Sequence, residues 1–195
     1  MDIKTYQKEA PKTESLVEEI RFNREAFKNA LGAYITLGTI FDMMKKSIFY
    51  GKELDLERIQ QLTVATTRML NQLNFEINDE ISNETKFDKD EAKVNKRIFH
   101  GIIGIMTEGS ELAECLEEAL IHRKGEIDII NLWEELQDCN WYQAIIQDEA
   151  GLDWEEGFDR NIEKLQKKRY KKGKFTQEEA INRDTEAERQ ALEGK

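Results

Sequence analysis

Pro11 is the only proline in a chain of 195 residues that holds just 11 glycines. Breakers this sparse leave too few turns for a β-sandwich or barrel, and they permit long uninterrupted helices. Apolar residues recur at helical spacing along most of the chain. The pattern predicts helices over 14–31, 33–50 and 56–77, with a turn at 51–55. The stretch from Asn78 to Asp90, polar and rich in Asn and Asp, reads as a linker. A second set follows at 92–122, 129–149 and 153–170, with a turn at 123–128 and Gly151 as a helix stop. The tail at 176–193 nearly lacks large apolar side chains, so it is expected to be a surface helix or partly disordered. The expectation is an all-α helical bundle, with an N-terminal part at 1–80, a second part at 90–175 and a polar tail at 176–195.

Charge narrows the function. Forty acidic residues against 29 basic ones give a net charge of −11. That disfavours a general nucleic-acid binder and an electrostatic membrane anchor, since neither finds the positive charge it needs. No apolar stretch approaches the roughly 20 residues of a membrane helix. The N-terminal run MDIKTYQKEAPKTES is charged and does not read as a signal peptide. Cys115 and Cys139 are the only cysteines and read as small buried hydrophobes, so a reducing cytoplasm is expected.

The two halves resemble each other. Residues 35–59 set against 106–132 place Thr36 on Thr107 and Gly38 on Gly109; after a two-residue gap, Glu53 meets Glu126 and Asp55 meets Asp128. The differences are concentrated. Glu108 and Glu111 stand opposite Leu37 and Ile40, and Glu135 and Asp138 stand opposite Leu62 and Ala65. Four carboxylates of the second half replace four apolar residues of the first.

Both acidic pairs are spaced i, i+3, so each projects from one helical face. Glu108 falls within the stripe marked by Ile105, Leu112, Cys115, Leu116 and Ala119, with Glu111 at its border. On the next helix Leu132, Trp133, Leu136 and Cys139 mark the expected inner face, flanked by Glu135 and Asp138. Antiparallel packing would bring the four acids together. Burying uncompensated charge is costly, and protonation, basic partners or divalent cations would relieve it. Oxygen-only ligands suit Mg²⁺ or Mn²⁺. A solvated acidic surface is the alternative. A ferritin-like di-iron site needs Glu-x-x-His, which neither His100 nor His122 completes.

TEGSE at 107–111 and EELQDCNWY at 134–142 resemble the E-x-x-E…E-x-x-D signature of MazG-like nucleoside triphosphate pyrophosphohydrolases. HGIIGIMTEGSEL at 100–112 is similar to the phage-type members, as is NIEKLQKKRYKKGKFTQEEAINRD at 161–184. The resemblance implies a bundle of two repeated hairpins. It implies hydrolysis of (d)NTP to (d)NMP and pyrophosphate, with Mg²⁺ (or Mn²⁺) held by Glu108, Glu111, Glu135 and Asp138. Glu111 would orient the attacking water or accept its proton. The resemblance also puts Asn161, Lys164, Arg169 and Tyr170 near the phosphates. From the residues themselves, Tyr142 reads as a base-stacking ring or a core aromatic, and His100 as a nucleotide contact or a hydrogen-bonded packing histidine. It implies a homodimer, and a host cytoplasm if the chain is phage-encoded. The 33–75 hairpin would then be a catalytically dead repeat that completes the bundle. Three positions depart from the family pattern: Gln137 and Ser110 where glycine is frequent, and Tyr170-Lys171 where Tyr-Pro is common. Two rival readings are a nucleotide sensor that has lost turnover and a helical interaction protein using its acidic surface.

Overall fold

The computed structural model describes every residue except Thr85, Lys171 and Lys195, so the readings of the linker, of Tyr170-Lys171 and of the tail each include one position outside the described residues. Among the described residues the chain is all-helical apart from one short two-stranded ladder. No helix is long and apolar enough to cross a membrane. The residues group into two compact units, one of 1–20 with 93–158, the other of 21–92 with 159–195.

The first unit is built on a hairpin of α4 (Lys96–Ile121) and α5 (Ile129–Ala150). Asn95 starts α4 by accepting from the Ile98 amide, and Asp128 starts α5 by accepting from the Ile130 and Asn131 amides. Gly151, in the left-handed region at φ 64°, ends α5. Gly101 and Gly104 let the helices approach closely. A β-carbon at 104 would collide with the Tyr142 ring, and one at 101 with Ile146. Gly104→Ala is therefore expected to lower stability by about 1–3 kcal/mol, readable as a lower denaturation midpoint.

The N-terminal segment belongs to this unit. Helix α1 (Ile3–Glu9) runs into a 3₁₀ turn at Ala10–Thr13 that has Pro11 in its first turn. Both pack on α5. Trp141 Nε1 donates to the Ala10 carbonyl at 2.9 Å and to Thr13 Oγ1 at 3.0 Å. Ala10, Ala144 and Trp154 form a small core with Ile3, Tyr6 and Trp141 around it.

The second unit is built on α2 (Arg24–Tyr50) and α3 (Leu56–Ser82), with Ala26, Ala33, Ile40, Leu62 and Thr66 buried. The turn between them matches the expected one, with Gly51 at φ 63° closing α2 and Asp55 capping α3. The strands β1 (Arg21–Phe22) and β2 (Asp90–Glu91) pair antiparallel. Helix α6 (Trp154–Glu163) leads into a π-helical turn at Lys164–Arg169, and α7 (Gln177–Ile181) and α8 (Thr185–Leu192) follow.

Three expectations need correction. The helix predicted from residue 14 begins only at Arg24, because Asn23 caps it there and residues 14–20 are irregular. The linker predicted from Asn78 begins after Ser82, because buried Glu80 accepts from Asn23 Nδ2 at 2.6 Å and pairs with Lys89 at 2.7 Å, which holds the last turn of α3 in place. The predicted inner face of α5 is rotated: Trp133 is 63% exposed and Leu136 44%, while Glu135, Ala144 and Ile145 are buried. Two helices share only one seam, and Trp133 and Leu136 lie on its flank.

Candidate metal centre

The seam of the α4–α5 hairpin is apolar or small at Gly101, Gly104, Cys115, Ala119 and Ala144. Glutamates interrupt it. Glu108 and Glu135 are both buried, and Glu111, one turn on from Glu108, reaches solvent. One carboxylate oxygen from each of the three lies within 4.8 Å of the others. The helix phase that hides Glu108 thus also aims it at Glu135 on the facing helix. One turn towards the loop, Asn131 Nδ2 donates to the Cys115 sulfur at 2.6 Å, and Arg123 closes onto Asp128 at 3.0 Å. These contacts fix the register of the two helices at the acids.

Electrostatics records the crowding. Burial, then the Glu111 charge, then hydrogen bonds to Glu111 and Glu108 raise Glu135 from 4.5 to about 7. Burial, followed by the charges of Glu111 and Asp138, raises Glu108 as well. Asp138 is exposed and lies outside the convergent triad, but its charge acts on Glu108, Cys139, Tyr142 and Tyr6. Burial and these charges push the half-buried Cys139 thiol up, so it is a poor nucleophile at neutral pH. Cys115 is buried, and both cysteines are free. A cleft of about 290 Å³ opens beside the triad, lined by Glu111 and Glu135 together with Glu114, Cys115, Arg123 and Asn131 among others.

The remaining predicted site residues divide between the units. Tyr142 sits against Gly104, and its ring meets His100 edge-on at 5.5 Å and Trp141 at 4.9 Å. Asn161, Lys164, Arg169 and Tyr170 belong to the second unit. Asn161 is exposed on α6, Lys164 opens the π-helical turn, and Tyr170 packs on Phe175 at 5.6 Å. Arg169 is engaged with Glu188, through Nε at 2.9 Å and Nη2 at 2.6 Å.

Compared with protein-family models, with curated proteins and with solved structures, the chain finds no match. Its own geometry therefore has to carry the functional reading.

Sequence reasoning missed the contribution of the N-terminal segment. Tyr6 is raised by burial and by the charge of Asp138, which places it within electrostatic reach of the acids. Glu14 holds Arg97 at 2.7 Å. Tyr6 lies in no amphipathic pattern, Glu14 opens a stretch whose apolar spacing reads as helix, and neither is near the acidic pairs in sequence. The lone proline was the one local sign that this stretch turns.

The donor set fits a hard divalent cation. It offers oxygen only, clustered, largely desolvated, and with charges that raise one another's pKa; a cation would remove that repulsion.

Proposed function

We propose that the chain is a divalent-cation-dependent nucleoside triphosphate pyrophosphohydrolase of the MazG-like type, converting (d)NTP and water to (d)NMP and pyrophosphate. The observation that supports this most is the convergence of Glu108, Glu111 and Glu135 within 4.8 Å, two of them buried. The hairpin geometry adds to it. The positions matched between the two halves, Asp55 and Asp128, both cap the second helix of a long hairpin. Leu62 and Glu135, also matched, are both buried. A duplicated hairpin with acids in one copy accounts for both facts.

Glu108, Glu111 and Glu135 would hold Mg²⁺ or Mn²⁺, with Asp138 adding negative charge at the margin. A cation held by these residues would supply charge screening for the triphosphate and its leaving pyrophosphate and would acidify water. The chain's own residues do the rest. Buried Glu108 and Glu135 fix the site between two rigid helices, so the ligating oxygens lose little freedom on binding. Glu111 reaches solvent, where it can orient the incoming water and accept its proton. The water oxygen attacks the α-phosphorus, the bond to the bridging oxygen breaks, and the electron pair leaves on pyrophosphate. Tyr142 and His100 offer an aromatic wall on the same hairpin, suited to the nucleoside. In this reading the active form is a homodimer.

The test is a hydrolysis screen with Mg²⁺ over canonical and modified NTPs and dNTPs and guanosine tetraphosphate-type alarmones, with products identified by mass. Monophosphate plus pyrophosphate, abolished in Glu111→Gln, is the expected result. Nucleotide binding without any product would replace the enzyme with a sensor. Neither binding nor turnover would leave a helical interaction protein.

A further inference from the structure

Glu14 is a buried carboxylate with only half of its hydrogen-bonding satisfied. Its side chain is 3% exposed, and Oε2 accepts from Arg97 Nε at 2.7 Å. Its Oε1 is buried with no hydrogen-bond partner among the described residues. Such orphans are uncommon because the desolvated lone pairs are left unpaired. The nitrogen facing Oε1 is His100 Nδ1, at 3.8 Å. That is about 1 Å beyond a normal hydrogen bond.

His100 is placed to use such a partner. Its ring is 36% exposed and sits edge-on to Trp141 at 6.0 Å and Tyr142 at 5.5 Å. Trp141 is locked by its bonds to Ala10 and Thr13, so this shelf is rigid. Tyr142 in turn feels the charges of Glu108, Asp138 and Glu111. His100, Gly104 and Glu108 follow at four-residue steps along α4, on one face. The half-open pair thus borders the acidic centre without touching its ligands.

We propose that Glu14 is a positioning residue that holds His100 as its Nδ1–H tautomer, leaving Nε2 as the acceptor for an N–H or O–H of the substrate's nucleoside part. The tautomer of a histidine follows the bond that its other nitrogen makes. The ligand in this statement rests on the nucleotide reading above; the pairing of Glu14 with His100 does not. Residues 1–20 then complete the site as well as covering the hairpin.

The chain has only two histidines, so ¹⁵N-detected NMR of the full-length protein reads the pair directly. At mildly alkaline pH, where imidazoles are neutral, His100 is expected as Nδ1–H in the wild type. In Glu14→Gln the amide oxygen goes to Arg97 and the amide NH₂ faces His100, which should reverse it to Nε2–H. His122, at the end of α4, stays unchanged as the internal reference. The same tautomer in both proteins would overturn the pairing. In the Mg²⁺ hydrolysis assay, Glu14→Gln should raise KM about tenfold and change kcat less than about threefold. His100→Phe, which keeps the ring contacts, should do the same, and adding Glu14→Gln to it should change nothing further. An additive loss, or a fall in kcat at constant KM, would overturn the positioning role. If Glu14→Gln fails to fold, an unaltered KM in His100→Phe overturns it instead. Absence of turnover in the wild type would overturn the nucleotide ligand, while the NMR result still decides the pair.

Discussion

Glu135→Gln is expected to make the metal-free protein more stable, contrary to the usual outcome of altering a buried residue. Glu135 is forced up to about 7 by burial and by the neighbouring Glu111 and Glu108. Its unfolded value is near 4.5, so the folded state prefers the protonated carboxyl. That preference stabilises the fold fully below about 4.5 and is lost as pH rises through about 7. The metal-free wild type should therefore lose melting temperature across this window, and Glu135→Gln should flatten the loss. For a chain of this size each kcal/mol recovered corresponds to about 2–4 °C. Mg²⁺ or Mn²⁺ should stabilise the wild type at pH 8, because ligand binding to the folded state alone raises stability by mass action, and the same substitution should remove that gain. Hydrolysis should fall by more than about a hundredfold, the upper end for losing a mere supporting group at a metal site. Scanning fluorimetry with and without metal, repeated from pH 4.5 to 8, separates the two effects. A variant that lost stability without metal would show that Glu135 is held by a structural contact and that the triad is not under repulsion.

The helices and the acidic triad were legible in the sequence for one reason: both depend on local periodicity. The spacing of Glu108 and Glu111 within an apolar stripe, and of Glu135 one helix later, needs only 3.6 residues per turn and an antiparallel hairpin. Asp138 shows where that reasoning stops. Its i, i+3 spacing from Glu135 puts it on the same face, but the small rotation of α5 that exposes Trp133 and Leu136 also leaves Asp138 outside the cluster. Periodicity fixes a face to within a residue or so, and the side-chain packing of Tyr142 into the gap at Gly104 sets the rest. Residues 14–20 were unreadable for a different reason. Leu16, Val17 and Ile20 mimic a helical stripe, yet Leu16 is 75% exposed. What directs this segment is Glu14 reaching Arg97, and Lys96 donating to the Glu18 carbonyl at 2.6 Å. Those partners lie about eighty positions away, beyond any window in which spacing carries information. The tail followed the same rule. Its composition suggested nothing to bury, and what it buries besides Ala180 and Ala191 is a glutamate.

That glutamate gives the second large effect. Glu188→Gln should destabilise the second unit by about 3 kcal/mol, the low end for breaking a buried ion pair. Glu188 is 4% exposed, and Arg169 and Arg183 both reach it, with Nη2 atoms at 2.6 and 2.7 Å from the same oxygen. The two guanidinium groups hold its carboxyl at about 2, against an ordinary 4.5. A lowered carboxylate gives its stability above 4.5 and loses it as pH falls through about 2. Acid titration of the wild type should accordingly show a loss of helix signal over that range, reduced in Glu188→Gln. Urea denaturation at pH 7 gives the size of the effect. Arg169→Ala should cost a comparable amount, and the double variant should cost little more than either, since both remove the same contact. This bears on the phosphate role that the resemblance gives Arg169. A guanidinium bound through two nitrogens to a buried carboxylate cannot grip a phosphate with the same two nitrogens. If Arg169→Ala lowers stability and leaves KM for the nucleotide unchanged once temperature is matched, Arg169 is a clasp for the C-terminal helix.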